Sequence, residues 1–154
     1  MKIFIGADHG AKELKEYLIE NLRKENHEVT DCFIKNESET DDYLDTAYLV
    51  CKSVMNTKDS VGIVLCKDGI GMSIAANKYK GIRCARILNK NDAFKSRSHS
   101  DANVIAMGSE NGLNYPETLE LVNIYLNSER PTEERRIRRI NKIMQIESGE
   151  YREL

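Results

Sequence analysis

The chain has 154 residues, 40% hydrophobic and 31% charged, enough for one compact core and too little for two comfortable folding units. Lys plus Arg number 23 against 25 Asp plus Glu, and a net charge of -2 supplies no global field to hold nucleic acid or an anionic lipid surface. No apolar run approaches the ~20 residues of a bilayer span, and the opening MKIFIGADHG lacks the flanks of a secretory signal, so a cytoplasmic protein with no membrane contact is expected.

Residues 2–6 form a short apolar run ending in glycine, and Leu14, Leu18, Ile19 and Leu22 follow at the spacing of one helical face. Residues 28–33 read as a second strand and 35–42 as an acidic connection, after which Ala47, Val50, Cys51, Val54 and Met55 make another helical stripe. The continuous apolar run 61–66 is typical of a strand covered on both faces; the glycine-bearing turn 67–71 and helix-prone 72–78 follow it. Residues 82–88 and 103–107 read as strands flanking a helix at 92–98. Asn114 and Glu117 carry the N-cap and N3 chemistry that opens a helix bearing Leu119, Val122 and Leu126. Pro131 is expected to open the last helix, about 131–147, with Ile137, Ile140, Ile143 and Met144 on one side.

Five strands alternating with five helices predict the α/β class: a doubly wound, Rossmann-like, five-stranded parallel sheet, with residues 1–154 forming a single domain. Such sheets bind ligands beyond the carboxyl ends of their strands at the switch point, often between the first and third strands. Here those ends are Asp8-His9 and Cys66-Lys67-Asp68-Gly69.

Asp8 and His9 bring a carboxylate and an imidazole to that edge, a grouping suited to moving protons, or equally a helix N-cap with a solvated histidine. Cys66 ends a strand just before a helix start, where unpaired N–H groups favour an anion; a thiolate there is a base or nucleophile, a thiol there is core packing. Gly69-Ile70-Gly71 is neither a Walker motif nor a dinucleotide fingerprint, and what it offers is closely approaching N–H groups for a phosphate or an oxyanion. His99, in a polar segment, is an acid/base or a helix cap, and the basic run 135–139 reads as a solvated, salt-bridged face beside Glu129, Glu133 and Glu134. The remaining cysteines, at 32, 51 and 84, show no CxxC pair and no zinc spacing with the histidines at 9, 27 and 99, and each falls in an apolar pattern.

Laid out in order, these residues resemble the sugar-phosphate isomerase family of type B ribose-5-phosphate isomerase and the galactose-6-phosphate isomerase subunits. The resemblance runs through Gly6-Ala7-Asp8-His9 with Leu14-Lys15, through His27-Glu28-Val29 and Asp42-Tyr43, and through Gly62-Ile63-Val64-Leu65-Cys66 into the specific block 69–78. It continues in Gly81-Ile82-Arg83, in 96–104 and in Arg135 and Arg139. It implies an aldose–ketose isomerase that moves a proton between C2 and C1 through an enediolate, with no metal or cofactor. By resemblance Cys66 is the base, Gly69 and Gly71 belong to the donor turn, and His99 with Asp8 helps open the furanose. His9, Arg135 and Arg139 match phosphate positions, Tyr43 lines the pocket, and Asn103 belongs to the substrate set. The resemblance also implies a homodimer or homotetramer with shared sites, the last helix packing on a neighbouring subunit.

Lys67-Asp68 replaces the family's customary Gly-Thr, so a hydroxyl donor becomes a carboxylate that accepts, repels an enediolate, or is itself a base. Glu110 falls where an arginine is usual, Arg136 where a histidine is, Ser100 where an asparagine is, and Leu44 replaces a proline. Ribose 5-phosphate is the expected substrate and Cys66, His99, Asp8 and Asp68 the expected catalytic set. Two alternatives go with the altered Asp68 and Glu110: an isomerase of a different sugar or hexose phosphate, and a non-catalytic sugar-phosphate-binding or partner subunit. Nucleic-acid binding through 130–142 ranks last.

Overall fold

A computed structural model describes residues 1–33 and 42–150. Most of the acidic connection expected at 35–42 lies outside the described residues. The strands are β1 (Lys2–Ala7), β2 (Glu28–Asp31), β3 (Ser60–Cys66), β4 (Cys84–Arg86) and β5 (Val104–Gly108). Alternating with them are α1 (Lys12–Lys24), α2 (Tyr43–Met55), α3 (Ile70–Ala76), α4 (Lys90–Ser98) and α5 (Tyr115–Asn127), and α6 (Glu134–Ser148) closes the described chain. All pairings are parallel, in the order β2-β1-β3-β5-β4, which is the doubly wound sheet that the alternation predicts.

The chain reverses its direction of travel across the sheet between β1 and β3, the pair named as the switch point. Helices cover both faces. Ile3, Ile5, Val61, Ile63 and Leu65 point into a core shared with α1 and α5, while Val64 and Cys66 point into one shared with α2 and α3. This double cover explains why every residue of β3 is buried and why its sequence does not alternate. On the α2 side Gly6 sets the packing distance, since a Cβ there would come within 2.6 Å of Thr46 Cγ2.

The predicted capping box is present at α5, where Asn114 Oδ1 accepts from Glu117 N and the Glu117 carboxylate accepts from Asn114 N, both at 2.8 Å. Two boundaries differ from expectation. The strand read at 82–88 is only three residues long, because Ile82 is held in a turn by Tyr79 and the Arg83 amide donates to the Asn103 side chain. Pro131 does not open α6; its helix begins at Glu134, and Arg130, bonded to Asp101, ties down the preceding link.

Candidate active site

The carboxyl ends of β1, β3 and β5 meet in one small basin. Asp8 follows β1: its amide donates to the Leu65 carbonyl (3.0 Å) and its Oδ1 accepts from Gly10 N (2.9 Å), so Asp8 does serve as a cap. Burial pushes its carboxyl above the ordinary value, against the opposing pull of the Gly10 amide and the charges of His9 and Lys67. His9 beside it is exposed.

Cys66 ends β3 with its side chain buried on the α2/α3 face. The Gly69 amide donates to its Sγ at 3.1 Å, and the thiol stands 3.7 Å from Asp68 Oδ1. The same oxygen accepts from Ile70 N at 2.8 Å, which locks the Asp68 carboxylate across the start of α3. The chain turns this sharply because Gly69 sits at φ 77, where a Cβ would be 3.0 Å from the Met107 main chain. Burial pushes the Cys51 thiol up to about 12 and the Cys84 thiol also upward, which keeps both as packing groups.

Tyr43, first residue of α2, lays its ring over Gly71, where a Cβ would be 3.0 Å from ring Cζ. The absent side chain at 71 is what admits the tyrosine to the edge of the basin. From β5, Ser109 N donates to the Cys66 carbonyl (2.9 Å), Glu110 N to the Lys67 carbonyl (2.8 Å) and Ser109 Oγ to the Gly10 carbonyl (2.7 Å). Glu110 faces Lys67 across the mouth at 3.9 Å, with both side chains largely exposed. Arg86 donates from Nε to the Asp68 carbonyl (2.9 Å). Asp8, His9, Tyr43, Cys66, Asp68, Gly69 and Gly71 are therefore brought together. Ser109 and Arg86 were not anticipated; the position of Ser109 just past a strand's carboxyl end was its signal, while Arg86 had none.

His99 is not brought to this basin within the chain. It caps the carboxyl end of α4, at the opposite edge of the sheet, near where the Asn103 carbonyl accepts from Gly62 N at 2.8 Å. Cys66 pairs with Gly108 and Gly62 with Val104, a four-residue step of about 13 Å along the strands. Burial lowers the His99 imidazole below its usual value, and the charges of Arg136, Lys95 and Arg135 add to this. Arg135 pairs with Glu133 at 2.7 Å, and Arg139 is exposed on the same helix. The Asn103 side chain is held by its own chain: its Oδ1 accepts from Arg83 N and its Nδ2 donates to the Gly81 carbonyl, both at 2.8 Å. The carboxamide is occupied by the turn before β4.

Among the described residues no three His, Cys, Asp or Glu side chains gather as a metal site, and no helix is long and apolar enough to cross a membrane.

A family model described as ribose/galactose isomerase matches residues 3–143. A ribose-5-phosphate isomerase B of Mycobacterium tuberculosis is 34% identical over 149 residues, 96% of this chain and 90% of that protein. A galactose-6-phosphate isomerase subunit of Streptococcus pyogenes is 37% identical over 110 residues, 71% of this chain and 75% of that protein. Among solved structures, the ribose-5-phosphate isomerase B of Clostridium thermocellum superposes with a TM-score of 0.90 at 38% identity, covering 97% of this chain and 99% of that one. That of Mycoplasma genitalium, solved with bound ribulose 5-phosphate, gives 0.88 at 33% identity, covering 96% of each.

Proposed function

The chain belongs to the ribose/galactose isomerase family, and from that premise we propose that it interconverts ribose 5-phosphate and ribulose 5-phosphate by proton transfer through an enediolate. The observation that carries this reading is Cys66, a sulfur at the carboxyl edge with the Gly69 amide 3.1 Å away, opening on a basin that gathers Asp8, His9 and Tyr43. In the proposed step the Cys66 thiolate takes the hydrogen from C2 of the open-chain aldose and returns it to C1. The hydroxyl proton passes from O2 to O1, so nothing is gained or lost overall. Amides of the 69–71 turn hold the developing oxyanion. Asp68, fixed by the Ile70 amide, carries the hydroxyl proton as a general base and acid. Asp8, with a raised pKa, serves ring opening beside His9.

The second half of the reading concerns assembly. His99, Arg135 and Arg139 lie at the other edge of the sheet from Cys66, so they serve substrate only when two copies meet edge to edge, each supplying the other's missing half. Ile137, Ile143, Met144 and Ile146 on α6 are exposed apolar side chains for such a partner, which supports a homodimer or a pair of dimers with α6 at the interface. Phosphate is gripped by His9 of one copy and the α6 arginines of the other. A dianionic sugar does not cross a bilayer unaided, and the reading places the protein in the cytoplasm with it.

A second reading, an isomerase of another sugar such as a hexose phosphate, is favoured by the carboxylates of Asp68 and Glu110 at the mouth. The test is incubation with ribose 5-phosphate in deuterated buffer, following ribulose 5-phosphate and loss of the C2 proton by NMR. Turnover that Cys66→Ala abolishes supports the ribose reading. A folded protein inert with ribose 5-phosphate but active on another aldose transfers the site to the second, and binding without exchange at C2 makes the chain a non-catalytic subunit.

A further inference from the structure

Asp101 is buried, adopts the left-handed conformation at φ 49, and follows His99 by two residues. Arg130 grips both its oxygens, Nε on Oδ1 at 2.8 Å and Nη2 on Oδ2 at 2.7 Å, a two-pronged contact. Arg83 adds Nη2 on Oδ2 at 3.0 Å and Nε on the Asp101 carbonyl at 2.8 Å. Arg97 stands 3.8 Å from Oδ1 and donates to the Ala102 carbonyl at 3.1 Å. One carboxylate thus joins the approach to β4, helix α4 and the link between α5 and α6.

On the other side of His99, the Ser98 carbonyl accepts from Arg136 Nη1 at 2.8 Å, in the first turn of α6. His99 therefore lies between two points where its segment is bonded to α6 and the link that leads into it, Ser98 to Arg136 and Asp101 to Arg130. Helix α6 has few other anchors: Ile140 is its one buried side chain among the described residues, and Glu147 accepts from the Gly81 amide (3.0 and 3.1 Å) at its far end.

We infer that Arg130, acting through Asp101, is a positioning residue, a tether that sets the entrance of α6 and so fixes His99 relative to Arg135 and Arg139. The inference rests on the reading that this edge completes a substrate site. Arg130 is itself largely exposed, so replacing it leaves the core intact, and lysine cannot reproduce the two-pronged contact.

Hydrogen exchange and steady-state kinetics on full-length Arg130→Gln and Arg130→Lys test it. Arg130→Gln is expected to speed amide exchange across 134–140 by about tenfold or more while leaving 115–127 unchanged. It should also raise KM for ribose 5-phosphate about tenfold with kcat within about twofold, because a displaced phosphate grip weakens ground and transition states alike. Arg130→Lys should fall between. Asp101→Asn, which tolerates the left-handed backbone, should reproduce the exchange pattern if it folds. Unchanged exchange across 134–140 overturns the tether, and faster exchange with an unchanged KM overturns its positioning role. Wild-type protein that does not turn over ribose 5-phosphate overturns the ribose 5-phosphate reading alone, and the exchange data still decide the tether.

Discussion

The two edges of the sheet are built by different means. At the carboxyl edge the basin is made of main chain: amides of Gly10, Gly69 and Ile70 hold Asp8, Cys66 and Asp68, and glycines at 69, 71 and 108 let the segments close on one another. At the amino edge long side chains do the joining, with Arg83, Arg97, Arg130 and Arg136 binding the 98–102 segment to its neighbours. Main-chain donors at a helix start are fixed by the fold and hold a reacting atom to a fraction of an ångström. Guanidinium forks reach farther and join segments whose main chains do not meet.

The largest test of this contrast is Cys66→Ala, expected to cut kcat for isomerisation about a thousandfold while leaving far-UV circular dichroism unchanged, since acid–base groups contribute on that scale. Retained turnover would move the base elsewhere. Next comes complementation between edges. Cys66→Ala and His99→Ala should each be nearly inactive alone, yet mixing and reassembling equal amounts should restore about a quarter of wild-type activity, because half the dimers are mixed and each mixed dimer has one intact site. No restoration would mean that both groups serve one chain.

The edges should also differ in stability. Gly69→Ala meets both a left-handed backbone and the Met107 main chain at 3.0 Å, so it should cost about 2 kcal/mol in urea unfolding. Gly149→Ala, at φ 74 with nothing within 4 Å, meets the backbone penalty alone and should cost about 1 kcal/mol. Equal losses would remove the close approach from the explanation.

The smallest effect concerns Asp8. Its raised folded-state pKa means that the folded protein binds the proton more readily than the unfolded chain, so this group's contribution falls as pH rises from the unfolded value through the folded one. Asparagine keeps the cap on Gly10 N without that charge. Asp8→Asn should therefore raise Tm slightly at pH 7, with the gain vanishing near pH 3, while isomerisation falls. A Tm gain independent of pH would assign the effect to something other than the buried charge.

Much of the carboxyl-edge basin was legible in the chain order. A loop after a parallel strand lies at that strand's carboxyl end, so Asp8, Cys66 and the 69–71 turn share an edge once the strands are recognised. Tyr43 was placed only by resemblance, and its physical reason, the missing side chain at Gly71, appears in the packing. Asn103 too was placed only by resemblance, and its partners in the fold, at 81 and 83, lie about twenty residues away, beyond what a local pattern shows.

By itself the sequence determined the order of the elements, the Asn114–Glu117 capping box and the parallel class, because periodicity, capping and turn chemistry act over a few residues. Tertiary structure alone decided that β5 lies between β3 and β4, which brings Ser109 and Glu110 against the turn after Cys66. Strand order follows from covering whole faces of the sheet at once, a balance of burial summed over distant segments that no local stretch of residues encodes.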